Sequence, residues 1–518
     1  MSKAYDHIII GGGHNGLVCA TYLARAGRKV LVLEAAAAVG GAASTREFAP
    51  GFRVSAGAHL LNGLPADVLR ELGLEAHGLR FSARQITTIA LNPAGAPVTI
   101  AGNTVTGVEP RDAQAFARFA RSMDAFSGVI GQLQGMRPFR ITLPSWSERI
   151  AALKVGLRIR LLGKRSMREL LRIAGMNAYD LLTDNFESPL LKGALALDAT
   201  LGAEFAARSP GTVLTFLLRW AGRVHAGALG IAQPAGGMGA VTQAMASAAR
   251  AAGVEIRTGA RVKRITVADD RASGVVLDSG ETIAAASVIS NADPRATFLK
   301  LLGAEYLDTD FVRRIDHFRA KGLVAKLHLA LDGLPEFRGV DAAALGGRLL
   351  VCPNLDYLEL AFNPSKYREV PSAPALEITV PTVRDPDLAP TGKHVLSINV
   401  MFVPYDMGDD PAGARKALLA SILATLEQYA PGLGARITAS ELLTPSDLER
   451  EFGMAGGHWH HGALTFEQFF FTRPVPGAAQ YATPLPGLYL CGAGSHPGGG
   501  VMGLAGRNAA RTVLEGVN

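Results

Sequence analysis

Cysteine is scarce in this chain. The 518 residues include three cysteines, Cys19, Cys352 and Cys491, which lie far apart in the sequence. There is no C-x-x-C pair and no metal-ligand spacing, so neither a disulfide framework nor a redox dithiol is indicated. Residues 1–6 lead directly into an apolar segment and leave no room for a signal peptide. Together these features predict a cytoplasmic protein.

The sequence also lacks an apolar run long enough to cross a bilayer. Two long stretches carry no charge, residues 225–249 and 481–506, but Gly and Pro interrupt both. Neither stretch therefore predicts a transmembrane helix. Aromatic residues make up only 7% of the chain, whereas Gly contributes 59 residues, and this balance favours closely packed helices.

Acidic residues are nearly absent from one segment. Residues 137–173 hold ten Lys or Arg and two acids, Glu148 and Glu169. The net charge of +7 comes from this segment, since the rest of the chain is close to neutral. A nucleic-acid binder spreads its basic charge more widely, so no nucleic-acid partner is predicted.

Apolar residues lie among these cations and give two interpretations of residues 153–173. The favoured one is a solvated basic helix face over a stripe of core residues. The alternative is peripheral contact with a membrane, because a basic amphipathic helix can lie on an anionic surface.

A glycine-rich turn near the N-terminus is the first positive signal. An apolar run ends at Gly11, and Gly11, Gly13 and Gly16 fit the G-x-G-x-x-G pattern. The first glycine permits a tight turn, the second lets the backbone approach a pyrophosphate, and the third lets the following helix pack closely. Glu34 ends the next predicted strand, at the position from which an acid binds a ribose hydroxyl. The pattern predicts an adenine dinucleotide and leaves FAD and NAD open.

The rest of the chain shows two blocks of predicted structure, one at 85–223 and one at 323–429. Helices are predicted at 112–134, 147–173, 177–201, 211–223 and 412–429, with a hairpin at 85–105 and strands at 323–331, 349–352, 376–380 and 394–403. Between them, a helix from Gly239 and strands at 254–257, 262–267, 274–277 and 287–290 restore an α/β pattern. Near the C-terminus a strand enters a second glycine-rich turn at Gly492, and a helix leaves it at Gly503. For the aromatic run 469–471, a buried strand is favoured over a pocket lining.

These segments resemble the phytoene desaturase-like flavoproteins of the FAD-dependent amine oxidase and desaturase superfamily. The resemblance rests on Gly-His-Asn-Gly-Leu-Val-Cys-Ala at 13–20, Glu34, and Gly-Gly-Ala-Ala at 40–43. It extends to Gly-Gly-His-x-x-His-Gly at 456–462, Phe-Phe-x-Arg-Pro-x-Pro at 470–476 and Leu-Tyr-Leu-Cys-Gly at 488–492. The C-terminal wording is similar to one branch, named for the animal pyridine nucleotide-disulfide oxidoreductase domain-containing protein 2. The absence of paired cysteines gives no support for dithiol chemistry here.

The resemblance implies FAD as the cofactor and an α/β fold. We expect a Rossmann-like FAD-binding domain of the glutathione reductase/amine oxidase type, with a discontinuous α+β substrate domain. The FAD-binding domain is predicted from residues 1–75, 225–300 and 465–518. The substrate domain is predicted from residues 76–224, with its helical insertion, and 301–464.

The resemblance also implies the site residues. Cofactor binding is predicted for Gly11, Gly13, His14, Asn15, Gly16, Glu34, Gly40, Gly41, Ala42, Gly239, Val262, Asn291, Gly492, Ala493, Gly494, Val501 and Met502. Val262 is expected to pack on the adenine. His461 and Arg473 are the catalytic candidates, with His461 first because it matches the wording of the branch. The neighbouring histidines have no carboxylate at ligand spacing, so no metal site is predicted.

The activity implied is dehydrogenation, or desaturation, of a hydrophobic isoprenoid or lipid-like substrate by hydride transfer to FAD. The flavin carries such chemistry, while the protein positions the substrate and excludes water. Oxygen, a quinone and NAD(P) remain open as electron acceptors. The alternatives are an amine oxidase or a carotenoid ketolase of the same superfamily, or a flavin-bearing regulatory protein with little turnover.

Overall fold

The computed structural model describes residues 5–140, 144–201 and 204–516. Its strands are β1 (Tyr5–Ile10), β2 (Val30–Leu33), β3 (Thr45–Ala49), β4 (Phe52–Ser55), β5 (Leu61–Asn62), β6 (Phe81–Ala83), β7 (Thr88–Ala90), β8 (Val98–Ala101), β9 (Thr104–Thr106), β10 (Ile231–Pro234), β11 (Glu255–Arg257), β12 (Val262–Ala268), β13 (Arg271–Leu277), β14 (Thr282–Ser290), β15 (Val324–Leu331), β16 (Arg348–Val351), β17 (Leu376–Thr379), β18 (His394–Met401), β19 (Ile437–Leu443) and β20 (Leu488–Leu490).

The α-helices alternate with these strands in part and cluster in one long block between β9 and β10. They are α1 (His14–Arg25), α2 (Ala66–Leu72), α3 (Pro110–Gln134), α4 (Trp146–Leu161), α5 (Lys164–Ile173), α6 (Ala178–Asn185), α7 (Pro189–Thr200), α8 (Thr212–Ala226), α9 (Gly239–Ala251), α10 (Thr309–Asp316), α11 (Leu355–Phe362), α12 (Pro411–Tyr429), α13 (Leu433–Arg436), α14 (Pro445–Phe452) and α15 (Leu504–Leu514).

The first large sheet carries the glycine-rich turn. Strands β11, β2, β1 and β14 pair in parallel, in that order, and the C-terminal half of β14 pairs in parallel with β20. The N-terminal half of β14 instead pairs antiparallel with β13, which continues to β12. Ile8 and Ile9 of β1 point to opposite faces and both are fully buried, as expected for a parallel sheet covered on each side. The predicted α/β Rossmann-like fold is thereby confirmed.

The second large sheet has eight strands in the order β19-β15-β18-β17-β16-β7-β8-β9. Its pairings are antiparallel except for β16 with β7. One face packs in a core with Leu418, Ile422 and Leu426 of α12. The two sheets draw on the segments expected for the two domains, and the domain boundaries themselves stay a prediction.

Two predicted helices are each divided in the structure. The segment 147–173 breaks at Gly163, whose φ of +84° lies in a region that favours glycine and does not continue a helix. The segment 177–201 breaks before Pro189, where the Ser188 side chain caps α7 by accepting the Leu191 N–H. Pro at the first helical position is a common start signal, so this second break was readable from the sequence.

Two further expectations are wrong. Residues 469–471 do not form a strand: a single 3-10 turn covers Phe470–Thr472, and the φ of +53° at Phe470 is incompatible with an extended chain. The core stripe expected within 153–173 is incomplete. Val155 and Leu170 are buried, but Leu153, Leu157 and Leu161 are more than half exposed.

Within residues 5–140, 144–201 and 204–516, no α-helix combines the length and the apolar character required to cross a bilayer.

Candidate active site

The glycine-rich turn joins β1 to α1 as the sequence predicts. Gly11 has a φ of +98°, a conformation open to glycine and costly for other residues. A Cβ at Gly16 would lie 2.3 Å from the Gly11 carbonyl oxygen, so only glycine lets α1 start this close to the strand. The free N–H groups of the first turn of α1 therefore lie beside the cavity lined by Gly11, Gly13 and His14, where a phosphate would bind.

Glu34 ends β2 beside this turn. One carboxylate oxygen accepts the Gly12 N–H at 2.7 Å, and the other accepts the Ala36 N–H at 2.8 Å. These bonds fix the carboxylate at the cavity wall, and each oxygen keeps lone pairs for a further donor. The position suits a ribose hydroxyl.

Asn291 ties the turn to the C-terminal segment. Its backbone N–H donates to Ile10 at 2.8 Å, and its side-chain amide donates to the Gly11 carbonyl at 3.4 Å. On the other side, a Cβ at Gly492 would come within 2.6 Å of the Asn291 carbonyl oxygen. Three segments that are hundreds of residues apart in sequence thus meet at the carboxyl end of the parallel sheet, the usual binding edge of such folds.

A cavity of about 780 Å³ runs from this edge into the space beside the second sheet. The sequence-predicted residues that line it are Gly11, Gly13, His14, Asn15, Glu34, Gly40, Gly41, Ala42, Val262, Asn291, His461, Ala493, Val501 and Met502. The other predicted residues do not line the cavity but support residues that do: Gly16, Gly239, Gly492, Gly494 and Arg473. Gly239, for example, donates its N–H to the Thr45 hydroxyl at 2.9 Å, and Thr45 lines the cavity.

Arg473 is completely buried and holds two loops together. Its guanidinium donates to the carbonyls of Ala463, Ala493 and His460 at 2.8, 2.9 and 3.0 Å. Burial lowers the pKa of Arg473 to about 9, so the group stays charged at neutral pH. These contacts fit a positioning role for Arg473 behind the cavity wall.

Three ring nitrogens test whether the cavity fits a cofactor. His14 Nε2, His460 Nδ1 and His461 Nδ1 are buried without a hydrogen-bond partner among the described residues, and all three histidines line the cavity. Burial lowers the pKa of His14 and of His461 to about 4, so both rings are neutral. Buried polar atoms are normally paired, and a bound group rich in nitrogen and oxygen would satisfy them.

The backbone around Gly41 gives a second test. A Cβ at Gly41 would meet no atom within 4 Å, so the cavity is open directly beside the main chain there. This open space, the phosphate-binding turn, Glu34 and the unpaired histidines together fit an FAD molecule.

A buried polar cluster that the sequence predictions missed lines the same cavity. Lys326, Asn399 and Glu377 lie directly opposite one another on β15, β18 and β17, so their side chains share one face of the sheet. Lys326 Nζ lies 3.0 Å from Asn399 Oδ1 and 2.8 Å from His59 Nδ1. The Asn399 amide donates to Glu377 at 2.7 Å, and His59 Nε2 lies 3.2 Å from the same carboxylate.

The two ionisable groups Glu377 and Lys326 differ in how strongly their charged forms are stabilised. Glu377 is paired with Arg348, which also binds Asp198 at 2.6 Å. Burial opposes the Glu377 charge, but Arg348 and His59 keep the pKa of this carboxyl well below its usual range. Burial lowers the pKa of Lys326 to about 7, against the attraction of Glu377. Lys326 therefore carries a neutral amine in a large fraction of molecules at neutral pH.

Arg348→Leu tests how strongly the ion pairs behind the cluster hold the fold. Arg348 is fully buried. Its loss removes the shortest ion pairs of Glu377 and Asp198 and leaves Arg219 as their nearest remaining arginine, at 3.6 and 3.5 Å. We expect the free energy of unfolding of the FAD-loaded protein to fall by about 3–5 kcal/mol in urea titrations. The control is Arg84→Leu, which removes an exposed pair with Glu75 and should cost about 0–1 kcal/mol. Equal losses in both variants would contradict the expectation.

The cysteines lie outside the cavity lining. Cys19, Cys352 and Cys491 are free and buried. The fold brings Cys491 into hydrogen-bonding contact with Cys19, and burial, reinforced by this contact, raises the pKa of Cys491 well above its ordinary value. Both features favour a protonated thiol at Cys491, which is a poor nucleophile.

The geometry defines a class of protein: an FAD-dependent oxidoreductase with a Rossmann-like cofactor domain and a cavity against a second sheet. Comparison with known proteins gives the family. The chain belongs to the flavin containing amine oxidoreductases, whose pattern it matches over residues 16–514. The predictions of FAD and of the phytoene desaturase-like superfamily are thereby confirmed.

Individual relatives agree with this assignment. The chain is 36% identical to the pyridine nucleotide-disulfide oxidoreductase domain-containing protein 2 of Rattus norvegicus, across 99% of this chain and 94% of the rat protein. It is 29% identical to the phytoene dehydrogenase of Streptomyces griseus, across 96% and 92% of the two chains. Among solved structures, putrescine oxidase bound to putrescine has the same fold, with a TM-score of 0.64 at 18% identity and 99% of each chain covered.

Proposed function

We propose that the protein dehydrogenates an isoprenoid or lipid-like substrate, and that Lys326 accepts the proton released. The observation that carries this proposal is a buried lysine amine, held by His59 and Asn399, beside apolar cavity walls. Leu201, Leu218, Val324 and Leu464 line the cavity beside the polar cluster. Similarity to a protein named phytoene dehydrogenase supports the substrate class.

Dehydrogenation removes one hydrogen with two electrons, as a hydride, and a second hydrogen as a proton. Bound FAD supplies the hydride acceptor for the first part. The chain supplies a base for the second part. The neutral amine of Lys326 donates hydrogen bonds to His59 and Asn399, which leaves its lone pair free for the proton. The ammonium ion that forms is stabilised by Glu377 across Asn399 and His59.

The apolar walls act on the same step. They hold a hydrocarbon chain in the cavity and exclude water, which strengthens the electrostatic interactions between the charges of the cluster. The residues expected to hold FAD are the first turn of α1 and Glu34 for the pyrophosphate and ribose, and Val262 for the adenine. His461 would hydrogen-bond the cofactor from the C-terminal wall.

An anaerobic mixing experiment tests the substrate class. The FAD-loaded protein is mixed separately with an isoprenoid hydrocarbon, a long-chain acyl lipid and putrescine, and the flavin absorbance is followed. We expect bleaching by the isoprenoid or the lipid and none by the amine. Bleaching by putrescine alone would favour amine oxidation, and no bleaching by any compound would favour a flavoprotein with little turnover. Either result would contradict the proposal.

A further inference from the structure

Helix α4 presents an apolar stripe to solvent. Trp146, Ile150, Leu153, Leu157 and Leu161 are 77%, 50%, 71%, 54% and 75% exposed. Their spacing of three to four residues places all five side chains along one face of the helix. Single exposed apolar residues are ordinary on protein surfaces, but a contiguous row marks an interaction site.

The opposite face of the same helix is already occupied. Glu148 and Val155 are buried against the body of the protein, and Ser145 caps the helix through a capping box with Glu148. Because core contacts are made by this inner face, the outer stripe is not needed to hold the helix. A helix on the surface of a globular protein normally has a polar outer face, which α4 lacks.

Positive charges border the stripe on both sides. At 100° per residue, Arg149 and Arg160 lie along one edge, and Lys154 and Arg158 lie along the other. None of these four side chains forms an ion pair within the described part of the chain, whereas the neighbouring Glu148 is turned inward and bonded to Arg140. The basic charge around the stripe is therefore uncompensated.

Helix α5 carries further exposed apolar and basic residues beyond the break at Gly163. Leu171 is 66% exposed, and Lys164 and Arg168 lie on the same face of α5 at helical spacing. Residues 146–173 contain eight Lys or Arg and two acids. An apolar stripe set in cationic residues matches the boundary between acyl chains and anionic headgroups. A second copy of this chain would bring the same positive charge and be repelled.

We propose that the outer face of α4 and α5, residues 146–173, docks the protein onto an anionic membrane surface. The stripe inserts into the boundary between headgroups and acyl chains, with Trp146 at the interface, where tryptophan is favoured. The flanking Arg and Lys side chains reach to the phosphates. Docking through this face does not depend on which substrate the cavity takes.

Vesicle flotation of the full FAD-loaded chain tests the proposal. We expect vesicles containing phosphatidylglycerol to bind the protein about tenfold or more tightly than vesicles of phosphatidylcholine alone, with affinity falling as salt rises. Quenching of Trp146 fluorescence by brominated acyl chains should accompany binding and disappear in Trp146→Phe. Equal binding to the two kinds of vesicle, or none to either, would overturn the proposal.

Two variants separate the apolar and charged contributions. The triple variant Leu153→Ser, Leu157→Ser, Leu161→Ser should lose about 100-fold in vesicle affinity. The pair Lys154→Gln, Arg158→Gln should lose most of the preference for phosphatidylglycerol. Retention of FAD absorbance verifies the fold of each variant.

The control for the leucine variant is Leu360→Ser on α11. Leu360 is 69% exposed, close to the exposure of Leu153, but lies outside residues 146–173, so vesicle binding should not change. Undiminished vesicle binding by the triple serine variant would overturn the proposal. So would light scattering showing a wild-type dimer that the triple variant converts to monomers, because a second copy would then cover the stripe.

Discussion

Lys326→Met is expected to slow reduction of the flavin by about 10²- to 10⁴-fold, the usual contribution of a positioned base. Methionine keeps the length and apolar stem of the side chain but has no amine to accept the proton. The FAD content should be unchanged, because Lys326 lies on the second sheet and not in the glycine-rich turns. The measurement is stopped-flow, anaerobic reduction by the compound that bleaches the wild-type flavin most strongly.

The rate of flavin reduction should also depend on pH in a defined direction. Burial lowers the pKa of Lys326 to about 7, and the neutral amine is the active form. The reduction rate of the wild type should therefore rise as pH increases through about 7 and level off above it. In Lys326→Met this step should disappear. A step that persists in the variant would assign the proton to another group.

Lys366, an exposed lysine, provides the control for replacing a lysine by methionine. Lys366 donates to Asn363 at 2.9 Å, as Lys326 does to Asn399, but its bond is exposed. Lys366→Met should leave both the rate and the pH profile unchanged. A comparable loss of rate in the two variants would contradict a specific role for Lys326.

The glycine-rich turns could be predicted from the sequence because their chemistry is local. Gly11, Gly13 and Gly16 lie within six residues, and Glu34 follows at the spacing set by one strand–helix–strand unit. Each of these positions is fixed by neighbours in the chain, so the pattern of residues carries the geometry. The same reasoning found the turn at Gly492.

The polar cluster could not be found in this way, because His59, Lys326, Glu377 and Asn399 come from four separate segments. The register of β15, β18 and β17 brings three of them together, and register is not readable from one strand alone. A weaker signal was present. Lys326 and Glu377 are the charged residues of two buried and mostly apolar strands, and a charge within a buried strand is rare without a paired or functional role.

For helix α4, the sequence predicts the helix but not which of its faces is buried. Its apolar residues form two faces, one with Val155 and one with Leu153, Leu157 and Leu161, and either could face the core by composition alone. The structure resolves this choice through the inward Glu148, which accepts the N–H of Ser145 at 2.7 Å and the side-chain amide of Gln480 at 2.6 Å. Gln480 lies more than 300 residues from α4 in the sequence, so the residues of α4 alone do not indicate this contact.

Gly13→Val is expected to weaken FAD binding by about 5- to 150-fold, which corresponds to about 1–3 kcal/mol of overpacking. A Cβ at Gly13 would lie 2.8 Å from the Asn291 side-chain amide nitrogen, and it would occupy the approach of the pyrophosphate to the turn. The φ of Gly13 is −72°, so valine adds no backbone strain, and any loss of affinity comes from crowding at the turn. The readouts are the flavin-to-protein absorbance ratio after purification and the Kd for added FAD.

A matched substitution and a double variant identify the cause of that loss. Gly175 is exposed, and its Cβ would meet no atom within 4 Å, so Gly175→Val should bind FAD normally. Adding Asn291→Ala to Gly13→Val removes the amide nitrogen. Partial recovery of affinity would assign the loss to the Asn291 collision, and no recovery would assign it to the blocked pyrophosphate. Full FAD occupancy with unchanged Kd in Gly13→Val would show that FAD does not approach the backbone at Gly13.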